Sequence, residues 1–256
     1  MTSHGELYNV EQEIASFFSK TSVSRETCDA VAKDLVGGDR AVQVAIQGCC
    51  SYTVYAGQHL DHVVQFQLKS SPLKTDIAAL ARQIYGSLAP ETSFKQQLGK
   101  GSAEAWQEPL LVYVMARVKE PSRLEFTLAH GNPENSPENK AWRMNLIRDV
   151  ARFFALSWNA PQALPQELRH QMMETWEKEL RMLLVSLPER FHTTIRDTLA
   201  SLPRILSNPM VLVHGDFSVF NIMTEPVPIK DDERGRYVIM ILDGLLLNPA
   251  TRFDSL

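Results

Sequence analysis

Cysteine is scarce in this chain: there are three, and two of them, Cys49 and Cys50, are neighbours. So few thiols build no disulfide framework, and their spacing is not that of a zinc site. A reducing compartment fits this usage, and a cytoplasmic location is the expectation. Long apolar runs are also missing. No stretch approaches the roughly 20 residues of a membrane span, and MTSHGELYNVEQEI lacks both the basic and the apolar segment of an export signal. Basic runs longer than a residue or two are absent and the formal charge is −4. Neither a nucleic acid nor a membrane surface is therefore expected as partner. No internal repeat or low-complexity segment stands out. What the chain does have is 256 residues, 44% of them hydrophobic, enough for a substantial core in one or two domains.

The apolar pattern changes character along the chain. Residues 7–19 and 24–35 repeat apolar positions at helical spacing, with Ser24 as N-cap, Glu26 in the first turn, and Gly37-Gly38 as the stop. Residues 41–68 read as three antiparallel strands in a meander, AVQVAIQG, SYTVYAG and HVVQFQL, turned at Gly48 and Gly57. A helix is predicted over 74–88, and LLVYVMARV at 110–118 reads as a buried strand. After Pro121 the composition shifts. GNPENSPENK at 131–140 is a polar surface loop, and helices follow over 141–157, 164–186 and 188–203. The fold class is therefore α+β, with a small antiparallel-sheet lobe over 1–119 and a mainly helical lobe over 120–256.

Near the end of the chain two short apolar strands, VLVH at 211–214 and YVIMIL at 237–242, each lead to a carboxylate, Asp216 and Asp243. PVPIKDDERGR between them is a charged, hairpin-like connection. In HGDFSVFN the aspartate is followed five positions later by Asn221. An Asp just beyond a strand is held by the core yet faces a cleft, and Asn221 can turn its amide oxygen to the same space. With Asp243 this makes two carboxylates and one amide oxygen. Hard oxygen ligands of this kind suit Mg²⁺ bound with nucleotide phosphates, while a spare carboxylate can take the proton of an attacking hydroxyl.

HGDFSVFN and ILDG resemble the catalytic and metal-binding signatures of the aminoglycoside phosphotransferase and choline kinase-like family. QGCCSYTVYAG, HVVQFQL, QIYGSLAP and FFALSWNAP are most similar to its fungal branch, and the resemblance extends over nearly the whole chain. It implies a protein kinase-like two-lobe fold and transfer of the γ-phosphoryl group of ATP, with Mg²⁺, to a hydroxyl of a small molecule. Asp216 would be the catalytic base, His214 would brace the loop, and Asn221 and Asp243 would hold the metal. The adenine would lie against residues 112–118 and the phosphates under the turn at 48–52, within reach of Ser51 and nearby amides. A role in fungal secondary metabolism is implied by the resemblance alone.

The chain also departs from this pattern. The family's third strand carries a Lys or Arg on the α- and β-phosphates, oriented by a Glu on the next helix. Here Gln67 stands at the cationic position. Lys69 lies on the same face, roughly 7 Å farther along; it replaces the missing charge on the nucleotide if the strand shifts or its side chain curls back, and is otherwise a solvated strand end. The helix offers Asp76 and Gln83 but no Glu. QGCCSYT has one Gly rather than Gly-x-Gly. The chain stops soon after Asp243, short of the helices that usually wall the acceptor pocket, and Asp254 in FDSL matches a residue that anchors the catalytic loop. Packing is the expected role of Cys49 and Cys50, a core position that of Trp142 and Trp158, and a solvated one that of His59, His62, His170 and His192. Two functions fit: a small-molecule phosphotransferase, or a repurposed kinase-like protein that binds a ligand or partner or uses Asp216 alone for proton transfer or cyclisation.

Overall fold

The computed structural model describes residues 8–101, 107–130, 135–163, 165–215, 217–219, 221–224 and 246–247. The chain opens with helices α1 (Val10–Phe18) and α2 (Arg25–Val36). Asn9 caps α1 by accepting from the Glu11 and Gln12 amides, and Ser24 caps α2 by accepting from the Thr27 amide. Gly37 ends α2 with a left-handed φ of 67°, a conformation that glycine adopts without Cβ strain.

Strands β1 (Ala41–Gln43), β2 (Ser51–Ala56) and β3 (His62–Leu68) follow as the expected antiparallel meander. Helix α3 (Thr75–Tyr85) then leads through a short 3₁₀ turn to β4 (Thr92–Leu98) and β5 (Leu110–Ala116). The sheet order is β1-β2-β3-β5-β4, with every pairing antiparallel. Strand β4 escapes prediction because TSFKQQL has no apolar alternation. It is one edge of the sheet, β1 being the other, with four consecutive exposed residues and a register shift between Phe94 and Gln96.

After Arg117 the described residues are mainly helical: α4 (Arg123–His130), α5 (Pro137–Trp158), α6 (Gln166–Ser186) and α7 (His192–Ser207). The fold class is thus α+β, an antiparallel five-stranded sheet with helices. Two differences from expectation have local causes. Ser122 and Glu125 form a reciprocal cap that starts α4: the Ser122 amide donates to Glu125 Oε2 (2.7 Å) and the Glu125 amide donates to Ser122 Oγ (3.2 Å). Helix α5 starts inside the expected loop because Ser136 caps it and Pro137 occupies its first turn. Strand β6 (Val213–His214) is shorter than VLVH and pairs with β7 (Leu246–Leu247). The strand expected at 237–242 and the connection before it lie outside the described residues.

Alternation along the strands divides the core. One sheet face carries Tyr52, Val54, Val64, Phe66 and Val112 against Phe17, Cys28 and Ala32 of α1 and α2. The other carries Val63, Tyr113 and Met115 against Leu73. A separate cluster joins α3 to α5: Ile77, Ala81 and Tyr85 pack with Phe153, Leu212 and Ile222. Phe153 is 1% exposed and stacks on Tyr85, with centroids 4.3 Å apart and planes at 11°. Phe217 also stacks on it, with centroids 5.7 Å apart. Phe153→Ala should cost about 3–5 kcal/mol, read as a lower urea midpoint with an unchanged slope.

Candidate functional site

Strand β3 sets what the sheet presents. Val64, Phe66 and Leu68 face α1 and α2, so Val63, Gln65 and Gln67 share the opposite face. Gln65 is buried and its Nε2 donates to Ser51 Oγ at 3.3 Å. Across β2 and β3, Ser51 is the register partner of Gln67 and Thr53 that of Gln65. The same sheet face continues through Thr53 and Tyr55 to a cavity of about 260 Å³.

That cavity lies where the sheet, the linker after β5 and the segment around Asn221 meet. Thr53, Tyr55, Val63 and Met115 line it from the sheet, Ile46 from the turn after β1, Arg117, Ser122 and Glu125 from the linker and α4, and Asn221 and Met223 from the loop. Main-chain bonds fix the meeting point. The Arg123 amide donates to Ile222 O (2.7 Å), Leu124 to Val219 O (3.2 Å) and Thr224 to Pro121 O (2.8 Å). Thr224 is fully buried and its hydroxyl also donates to Pro121 O at 3.0 Å. Asn221 closes a turn by donating its amide to Ser218 O (3.0 Å).

The cavity has charge of both signs. The Arg117 guanidinium lies 3.6 Å from the Tyr55 ring centroid and donates to Leu60 O at 3.3 Å. Stacking of this kind contributes roughly 0.5–2 kcal/mol. Arg117 Nε is buried with no hydrogen-bond partner among the described residues. Glu125 supplies the opposite charge, held by Ser122.

Of the site residues expected from sequence, Asn221 lines this cavity. His214 is 7% exposed on β6, its ring edge-on to Phe217 at 6.0 Å. Two hydroxyls position the segment before it: Tyr85 donates to Leu212 O (2.9 Å), and Ser157 donates to the same oxygen. Burial raises the Tyr85 hydroxyl above its usual pKa, with the Ser157 hydrogen bond opposing. Ser51, Gln67 and Lys69 belong to the far end of β2 and β3 and are not among the cavity's lining residues. Lys69 is exposed, and its amide donates to Pro109 O (3.2 Å). Asp76 and Gln83 on α3 are exposed as well. Asp216, Asp243 and Asp254 lie outside the described residues.

Three expectations need correction. Cys49 is exposed rather than packed, and the Lys20 ammonium donates to its carbonyl at 3.2 Å. Trp158 is 63% exposed rather than in the core, because α5 buries the face that carries Phe153 instead. His62 is half-buried, so only His59 of that pair is well solvated. Among the described residues no cluster of three or more His, Cys, Asp or Glu could hold a metal. Sequence reading passed over Arg117 and Glu125. The Ser122-x-x-Glu125 capping signature was the available signal for Glu125, whereas Arg117 becomes visible only when Tyr55 is placed beside it. A larger open groove of about 790 Å³ runs along α6, lined by residues of that helix alone.

No protein-family profile matches the chain, and no curated protein sequence matches it. Solved structures similar to it include an aminoglycoside phosphotransferase in complex with GDP and kanamycin, 17% identical over 88% of this chain and 74% of that one, with a TM-score of 0.44. A GDP complex of wild-type aminoglycoside 2'-phosphotransferase-IIIa is 16% identical over 88% and 73% (TM-score 0.43). A spectinomycin phosphotransferase with ADP and spectinomycin is 12% identical over 88% and 70% (TM-score 0.39).

Cys28 differs from the other two thiols. It is fully buried in the α2–sheet core, and burial, aided by the Asp29 and Glu26 charges, pushes it up to about 12. An alkylating reagent at pH 8 should therefore modify two thiols of the reduced native protein, with the third, Cys28, reacting only after denaturation.

Proposed function

We propose that the protein is a small-molecule phosphotransferase that moves the γ-phosphoryl group of ATP to a hydroxyl of a metabolite. The observation that carries the reading is the position of Asn221, which opens on the cavity opposite Thr53 and Tyr55. An amide oxygen lining that cavity supports a role for Asn221 as a metal ligand. In this reading residues 1–119 form the nucleotide lobe and 120–256 the acceptor lobe.

The donor chemistry fits Mg²⁺. The amide oxygen of Asn221, the carboxylate of Asp243 and the cavity-lining carboxylate of Glu125 are hard oxygen ligands. Asn221 and Asp243 are assigned to the metal, which when bound offsets phosphate charge. Asp216 is assigned to accept the proton of the acceptor hydroxyl, and buried His214 to hold the loop that carries it. Positioning and charge neutralisation would supply most of the acceleration.

A second reading, a kinase-like protein repurposed for binding or for proton transfer, is favoured by Gln67. An amide there donates hydrogen bonds but neutralises nothing, and Lys69 is an exposed strand end. Two measurements separate the readings. Calorimetry with ATP should give Mg²⁺-dependent binding that disappears in Asp243→Ala, whereas no binding at millimolar ATP would leave the second reading. Gln67→Lys should tighten Mg²⁺–ATP by about tenfold or more, the value of roughly 1.4 kcal/mol. Unchanged affinity would mean that β3 does not face a phosphate.

A further inference from the structure

The turn between β1 and β2 carries two adjacent thiols whose sulfurs, Cys49 Sγ and Cys50 Sγ, lie 3.4 Å apart. A disulfide needs about 2.05 Å between sulfurs, so closure calls for a local rotation rather than a rearrangement of the lobe. Cys49 is exposed and Cys50 half-buried. An outer thiol open to reagents with an inner one beside it is the arrangement of an attacking and a resolving cysteine. Cys28, fully buried, takes no part.

The main chain around the pair is anchored on both sides. The Cys49 carbonyl accepts from Lys20 Nζ at 3.2 Å, at the end of α1, and the Cys50 carbonyl accepts from the Leu68 amide of β3 at 3.2 Å. The peptide that joins the two cysteines contains the oxygen that Lys20 holds. A disulfide between neighbours would enclose this peptide in a small ring, where a planar trans bond fits only with distortion. Closure therefore turns the Cys49 carbonyl and releases Lys20. Ser51, next in sequence, is the register partner of Gln67, so the disturbance begins one residue from the strand pair assigned to phosphate. Strained, exposed disulfides are the readily reduced ones.

We propose that Cys49 and Cys50 are a redox modification site: a vicinal dithiol that closes to a disulfide, frees Lys20, and weakens nucleotide binding at the adjoining turn. The last consequence rests on the phosphotransferase reading above. The oxidant is a low-molecular-weight disulfide of the glutathione type. The Cys49 thiolate attacks one sulfur of that disulfide, forming a mixed disulfide and expelling one small thiolate. Cys50, deprotonated, then attacks the Cys49 sulfur and expels the second. One small disulfide becomes two small thiols, the protein loses two hydrogens, and the two protons end on the departing thiols. Burial, and after it the Cys49 neighbour, holds the Cys50 thiol above its ordinary value, with the Lys20 charge opposing. The first attack accordingly falls to Cys49.

The test treats the full reduced chain with oxidised glutathione and follows three readouts. Intact mass should fall by about 2 Da without a retained glutathione, reversibly with dithiothreitol. Amine labelling at Lys20, read by peptide mass, should be faster in the oxidised protein. ATP affinity by calorimetry should be weaker by about tenfold after oxidation, while Cys49→Ser should show one affinity under both conditions. A persistent glutathione adduct on the wild-type turn, or no reaction at all, overturns the dithiol. A disulfide that leaves Lys20 labelling and ATP affinity unchanged overturns the coupling. If the reduced protein binds no ATP, the phosphotransferase reading fails, and mass with Lys20 labelling decides the redox site without it.

Discussion

The main-chain bonds that Arg123, Leu124 and Pro121 make with Ile222, Val219 and Thr224 hold the candidate site together. Three amide-to-carbonyl bonds and the Thr224 hydroxyl tie the chain leaving β5 to the loop that carries Asn221. Without these bonds, Asn221 and the sheet face of Thr53 and Tyr55 would have no fixed relation. They are remote in sequence, and the apolar clusters of the sheet and of α3 with α5 are separate. Because Thr224 is fully buried, its bonds are shielded from competition by water, which makes leaving them unmade more costly than their net contribution suggests.

A second constraint operates from the other side of the loop. Leu212 O receives the hydroxyls of Tyr85 from α3 and Ser157 from α5, and the Tyr85, Phe153 and Phe217 rings stack between them. Helix α3 therefore reaches the segment before His214 directly, through an aromatic layer. This α3 spends its apolar face, Ile77, Ala81 and Tyr85, on α5, while Asp76 and Gln83 remain in solvent.

What could be read from the sequence followed from periodicity. Tyr52, Val54, Val64 and Phe66 alternate cleanly, and the β2–β3 pairing came out as written. The same logic passed over β4, whose residues face water on four consecutive positions, because an edge strand paired on one side needs no apolar stripe. Helix α4 went unread although its Ser122-x-x-Glu125 start carries a capping signature, because its eight residues span only about two turns. At the site, HGDFSVFN located Asn221 through local spacing. Arg117 with Tyr55 and Lys20 with Cys49 were illegible because each pair joins residues distant in sequence, so that only the folded sheet brings them together. Trp158 failed for a different reason: an aromatic at the end of an apolar helix counts as core only if that end is covered.

Strand β4 has one more physical consequence. An antiparallel sheet with an open edge is a template on which another extended chain can add, and repetition of that event leads to fibrils. Here the open edge combines Lys95 with Gln96 and Gln97 in solvent and an irregular register between Phe94 and Gln96. A charge and a kink on the edge spoil the straight row of donors and acceptors that an incoming strand must match. The segment hardest to recognise as a strand is thus also the one least able to recruit another.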